Sequence, residues 1–70
     1  MFTVLDALIS LLDSNLQLME KYPDDYGIRN SFYMQAFGAV SMLQLTEYCK
    51  DAEALWMRYQ PIYDKARMGG

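Results

Sequence analysis

The chain has 70 residues, a net charge of -3, no histidine and a single cysteine. Without histidine or a second cysteine it cannot form a Ser-His or Cys-His nucleophile pair, an intrachain disulfide or a zinc site of the usual kind, so we expect neither an enzyme nor a cofactor. An acidic chain with no basic stripe also lacks the main source of affinity for phosphate backbones, which excludes nucleic acid as a partner.

The first predicted helix runs from about Thr3 to Lys21, a stretch without glycine or proline. Thr3 can cap its start, and Asp6 lies in the first turn, where negative charge is favoured. A step of about 100° per residue gathers a main apolar face of Leu5, Leu8, Ile9, Leu12, Leu16 and Met19. A second apolar seam on the flank of this face consists of Val4, Leu11, Leu18 and Tyr22. One neighbouring helix covers less of the helix circumference than the main apolar face and the seam occupy together. The seam therefore predicts a contact with a partner chain.

A breaker from Tyr22 to Gly27 follows the first helix and contains Pro23. Proline disfavours the helical conformation for the residue before it, and Asp24 or Asp25 can cap the next helix. The two aspartates lack the spacing of a calcium loop, so we interpret them as caps rather than metal ligands. A short connection makes neighbouring helices antiparallel, which predicts a helical hairpin.

The second predicted helix carries a regular apolar stripe of Ile28, Phe32, Ala36, Ala39, Val40 and Leu43, flanked by Tyr33 and Phe37. Gly38 lies off this stripe. A glycine inside a helix costs about 1 kcal/mol relative to alanine. Gly38 therefore indicates either that another backbone approaches closely at this position or that a glycine is merely tolerated there.

After Leu43 the apolar face rotates by roughly 140°. It then comprises Leu45, Tyr48, Ala52, Leu55, Trp56, Tyr59, Ile62, Tyr63 and Ala66. Either a break near Cys49-Lys50-Asp51 starts a third helix with Asp51 as its cap, or one long helix shows different faces to different neighbours. We favour the third helix. Pro61 argues against one unbroken helix to the end of the sequence, although proline is tolerated in the first turn of a short last segment.

The cations Arg58, Lys65 and Arg67 cluster near the end of the sequence, where they complement a helix dipole. Gly69 and Gly70 then predict the end of that helix. Polar residues interrupt the first apolar run, so no membrane-spanning helix is expected, and the N-terminus lacks the basic region of a secretory signal. A single cysteine fits a reducing compartment, so we expect the protein in the cytoplasm.

We therefore expect one all-α domain over residues 1–70, an antiparallel hairpin with a third C-terminal helical segment that assembles into a helix bundle. With 53% hydrophobic residues, the chain has more apolar surface than two short helices can hide. We expect it to self-associate, a dimer being favoured, and to bind a protein partner as a regulator or adaptor. The candidate interface comprises Val4, Leu11, Leu18, Tyr22, Trp56, Tyr59 and Tyr63. The alternatives are a peripheral membrane-surface protein and, third, a small-molecule binder or enzyme built on the tyrosine-rich side.

Overall fold

The computed structural model describes residues 1–68, which form three helices: α1 (Val4–Lys21), α2 (Tyr26–Leu43) and α3 (Cys49–Met68). Each helix packs against the other two. Consecutive helices are antiparallel, so α1 and α3 run in the same direction. The predicted all-α bundle, with its hairpin and third helix, is confirmed. Gly69 and Gly70, which were predicted to end the last helix, lie outside the described residues.

The starts of α1 and α2 are fixed by the predicted caps. The hydroxyl of Thr3 accepts a hydrogen bond from the Asp6 backbone N–H at 3.1 Å, and the Asp6 carboxylate accepts one from the Thr3 N–H at 3.0 Å. Asp25, rather than Asp24, caps α2, because its carboxylate accepts from the N–H of Ile28 at 3.0 Å. These bonds satisfy backbone donors that the first turn of a helix leaves without partners.

The break before α3 falls earlier than predicted, at residues 44–48. Thr46 forms the turn: its hydroxyl donates to the Leu43 carbonyl at 2.6 Å and accepts from the Tyr48 N–H at 3.1 Å. Threonine often stabilises turns through such local bonds. Since α3 already begins at Cys49, Asp51 lies in its first turn. The prediction that Asp51 caps the helix is therefore wrong.

The third helix continues through Pro61 without interruption. Proline removes the backbone donor that would bond the carbonyl of Met57. Both residues are exposed on the outer side of α3, where water can take the place of that donor. The expectation that Pro61 interrupts the helix is thus wrong, because the missing hydrogen bond lies on the solvent side.

The core lies where the three helices meet. Its buried apolar residues are Leu8, Leu12, Met19, Tyr33, Ala36, Val40, Ala52, Trp56 and Tyr63. The rotated face of the third segment does return to the same core as the hairpin, as expected. On α2, however, the buried face is turned towards Tyr33 and Arg29, and Phe32, Ala39 and Leu43 pack on its flank.

Candidate functional site

The exposed side of α2 carries no charge. From Asn30 to Thr46 the sequence contains no Asp, Glu, Lys or Arg, and Arg29, the one ionised residue within α2, is only 7% exposed. A surface helix normally presents charged residues opposite the core. We refer to the outer side of α2 as the neutral face, which consists of Ser31, Met34, Gln35, Gly38, Ser41 and Met42.

Gly38 lies at the centre of the neutral face. A Cβ atom built on it meets no other atom within 4 Å. Within residues 1–68, no neighbouring element therefore approaches the backbone at Gly38. Of the two interpretations of this glycine, a close approach by another backbone among residues 1–68 is excluded. The remaining interpretations are that the glycine is merely tolerated in the helix or that another molecule contacts the backbone there.

The predicted seam on α1 is only partly covered by the rest of the chain. Val4 and Tyr22, at its two ends, are each 43% exposed. Leu11 is half-buried and packs against the core, and Leu18 is half-buried.

The seam adjoins the neutral face of α2. The buried amide of Asn15 donates to the Gln35 side-chain carbonyl at 3.0 Å and to the Phe32 backbone carbonyl at 3.3 Å. Leu11 and Leu18 lie one turn before and one turn after Asn15, on the same side of α1. The seam and the neutral face thus form one uncharged surface that spans two helices.

The aromatic members of the candidate interface lie deeper than the seam. Trp56 and Tyr63 are buried in the core, and Trp56 meets the rings of Tyr33 and Phe37 edge-on, each with a centroid distance of 5.8 Å. Tyr59 is half-buried, and its hydroxyl donates to the Asp13 carboxylate at 2.8 Å. Trp56 and Tyr63 therefore serve the fold of this chain and leave the seam as the candidate interface.

A cleft of about 350 Å³ opens between the C-terminal halves of α1 and α3. Its lining residues are Leu16, Met19, Glu20, Pro23, Arg29, Ile62, Lys65 and Ala66. Three of them are charged, two positive and one negative, and the others are apolar. The cleft therefore combines apolar walls with a small number of charged groups, as small-molecule sites do.

Arg29 is held in this cleft by backbone carbonyls. Its Nε donates to the carbonyl of Arg67 at 3.2 Å, and its Nη1 donates to the carbonyls of Tyr22, at 3.1 Å, and Pro23. These carbonyls lie at the C-terminal ends of α3 and α1, where the helix dipoles are negative. The buried cation is thus stabilised without a hydrogen bond to a carboxylate among residues 1–68.

Arg29 lines the cleft, and its second terminal nitrogen, Nη2, takes no part in the bonds to these carbonyls. It has no hydrogen-bond acceptor within residues 1–68. It is also not enclosed, because in this part of the chain Arg67 Nε is the one enclosed side-chain atom without a partner. The sequence reasoning missed Arg29. The available signal was that Arg29 is the sole ionised residue in a helix with no other charge.

Comparisons with protein-family models, curated proteins and solved structures found no match to this chain. Within residues 1–68, no helix is long and apolar enough to cross a membrane. The same residues contain no group of three or more Cys, Asp or Glu side chains arranged to hold a metal ion.

Proposed function

We propose that this chain is a non-enzymatic interaction protein that forms a homodimer through the neutral face of α2 and the adjoining seam of α1. The observation that carries the proposal is the absence of charge from the exposed side of α2. Charged residues are depleted from the centres of protein interfaces, whereas the free surface of a small domain is rich in them. A neutral face on an otherwise charged chain is therefore typical of a surface that another protein covers.

A second copy of the chain suits this surface. Most soluble homo-oligomers are two-fold dimers, in which the same patch of each subunit meets its own copy. Each chain carries a net charge of -3, but none of that charge lies on the neutral face, so two neutral faces meet without direct repulsion. The small residues Ser31, Gly38 and Ser41 also allow two helices to approach closely, since the interaxial distance depends on the side chains at the contact.

The seam of α1 extends the contact. In an antiparallel pairing about a two-fold axis, the end of the seam at Val4 meets the end at Tyr22 of the second copy, and Leu11 and Leu18 lie between these ends. The spacing of these residues is that of an apolar seam between paired helices. Dimerisation would also stabilise a domain of this size, because a small chain buries a low fraction of its surface.

The neutral face favours a protein over a membrane surface. Helices that lie on membranes combine an apolar face with Lys and Arg residues that attract anionic lipids. The exposed side of α2 has no such cation, and it carries polar but uncharged Ser31 and Gln35. We place the dimer in the cytoplasm, where Cys49, the sole cysteine of the chain, would remain reduced, and we assign it a role as a regulator or adaptor.

A charge placed at Gly38 tests the proposal without disturbing the fold. A Cβ atom at this position meets no other part of residues 1–68 within 4 Å, and lysine is a better helix former than glycine. We expect the wild type to sediment as a dimer at micromolar concentration and Gly38→Lys as a monomer with unchanged helical content. The matched control is Ala54→Lys, at an exposed position of α3, which should remain dimeric. A monomeric wild type, or an undiminished Gly38→Lys dimer, would refute the proposal.

The contribution of the seam is tested at its two exposed ends. Val4→Glu places a negative charge at the start of α1, and Tyr22→Lys places a positive charge at its end, so both charges suit the helix dipole. We expect each variant to fold and to dimerise more weakly than the wild type. A monomeric protein that floats with lipid vesicles would instead support the membrane alternative.

A further inference from the structure

We propose that the cleft between α1 and α3 binds a small monocarboxylate that has a short apolar tail. The proposed dimer surface lies on α2 and on the flank of α1, and none of its side chains lines the cleft; only the backbone carbonyl of Tyr22 also holds Arg29. The two proposals can therefore fail independently of each other.

The charges of the cleft set the charge of the ligand. Arg29 and Lys65 are positive and Glu20 is negative, so the lining carries one net positive charge. A single negative group neutralises it, whereas a dianion such as phosphate leaves an excess of negative charge.

The geometry of Arg29 favours a carboxylate. The guanidinium is already oriented by three carbonyls, Arg29 lines the cleft, and its remaining nitrogen, Nη2, has no hydrogen-bond acceptor within residues 1–68. A charge-assisted hydrogen bond from a guanidinium to a carboxylate is about twice as strong as one between neutral groups. Because the side chain is already held and largely desolvated, binding costs little further ordering of it.

The rest of the lining favours an apolar tail. Leu16, Met19 and Pro23 form the wall on the side of α1, and Ile62 and Ala66 form the wall on the side of α3. The volume of about 350 Å³ lies at the lower end of the range for small-molecule sites. The ligand must therefore be small, and its tail must be short.

Octanoate is a suitable probe for this site. Titration of the full chain, followed by the backbone amide signals and the Arg29 Nε–H signal in NMR, should shift the signals of residues that line the cleft. Octanol, which has the tail without the charge, and acetate, which has the charge without the tail, should each bind more weakly. The proposal is overturned if octanoate leaves the cleft signals unchanged, or if octanol or acetate binds as tightly as octanoate does.

Two substitutions with opposite expected effects sharpen the test. Lys65→Gln removes a positive charge and should weaken octanoate binding, whereas Glu20→Gln removes the competing carboxylate and should strengthen it. Each change should be about two- to fivefold, the range for exposed charge pairs. Both residues are exposed, so the fold should persist.

The matched controls for net charge are Lys50→Gln and Glu53→Gln, exposed positions near the start of α3 and away from the cleft. They should leave octanoate binding unchanged. Equal effects of the control and cleft variants would show that only the net charge of the chain matters. That result would overturn the proposed site.

Discussion

The hydroxyl of Tyr63 donates a hydrogen bond to the backbone carbonyl of Leu12 and so joins α3 to the middle of α1 inside the core. Both side chains are 0% exposed. Burial, together with the nearby negative charge of Asp13, raises the pKa of the Tyr63 hydroxyl well above its usual value near 10. The folded chain therefore keeps this phenol neutral at a pH where the unfolded chain ionises it.

This raised pKa predicts a loss of stability at high pH. The contribution of Tyr63 is complete below about pH 10, the pKa of an exposed tyrosine, and falls as the pH rises towards the folded pKa. The slope for one proton is about 1.4 kcal/mol of unfolding free energy per pH unit. Burial and hydrogen bonds to Asp64 and Asp13 also raise the pKa values of Tyr33 and Tyr59, which act in the same direction. Urea unfolding followed by circular dichroism between pH 8 and 11 measures this loss.

A Tyr63→Phe substitution isolates the contribution of Tyr63. At pH 7 the variant should be less stable than the wild type by about 1 kcal/mol, the usual value of one hydrogen bond. Above about pH 10 its stability should fall less steeply than that of the wild type, since one ionising group is gone. Tyr26→Phe, at an exposed position, should retain the wild-type slope. An unchanged slope in Tyr63→Phe would contradict the assignment.

Arg29 is predicted to stabilise the end of the bundle through its shape as well as its charge. Lysine keeps the charge of Arg29 but has a single nitrogen, which cannot reach the carbonyls of Tyr22, Pro23 and Arg67 together. We expect Arg29→Lys to lower the unfolding free energy by about 2 kcal/mol. The control Arg58→Lys, at an exposed position of α3, should change it little, and equal losses in the two variants would contradict this role of Arg29.

The two neighbouring aspartates of the breaker are predicted to differ in their effect on stability. Asp25 caps α2 through the N–H of Ile28. Asp25→Ala should therefore cost about 1 kcal/mol, the usual value of an N-cap. Asp24→Ala, one residue earlier, removes the same charge without removing the cap. Thermal unfolding of the two variants compares them, and a larger loss for Asp24→Ala would show that the cap is assigned to the wrong residue.

Gly38→Ala should stabilise the chain by about 1 kcal/mol, because alanine is the better helix former and a Cβ atom at this site meets nothing within 4 Å. The measurement is urea unfolding at a concentration below that of self-association. Gly27 is the comparison: a Cβ atom there lies 3.4 Å from the Asp25 carboxylate that caps α2, so Gly27→Ala should gain less. No gain in Gly38→Ala would contradict the open space assigned to this position.

The sequence by itself determined the first two helices, the cap at Thr3, a cap at Asp24 or Asp25 and the antiparallel hairpin, and it favoured a third helix. Each depends on residues a few positions apart: apolar residues repeat with the helical period, a polar side chain reaches the N–H three residues on, and Pro23 restricts the residue before it. The uncharged stretch of α2 can also be read directly from the sequence. Only the position of the buried side of α2 shows that these uncharged residues form an exposed face.

The tertiary structure decided which residues fill the core and which form sites. Trp56 and Tyr63 share a helix face with partly exposed residues, and only packing against α2 and α1 places them inside. Arg29 lies one turn before Tyr33 and two turns before Ala36, on the buried side of α2, and its charge finds a partner only because the carbonyl of Arg67, 38 residues away, accepts its hydrogen bond. Local periodicity cannot report such contacts, because their free energy depends on atoms that meet only after the helices have packed.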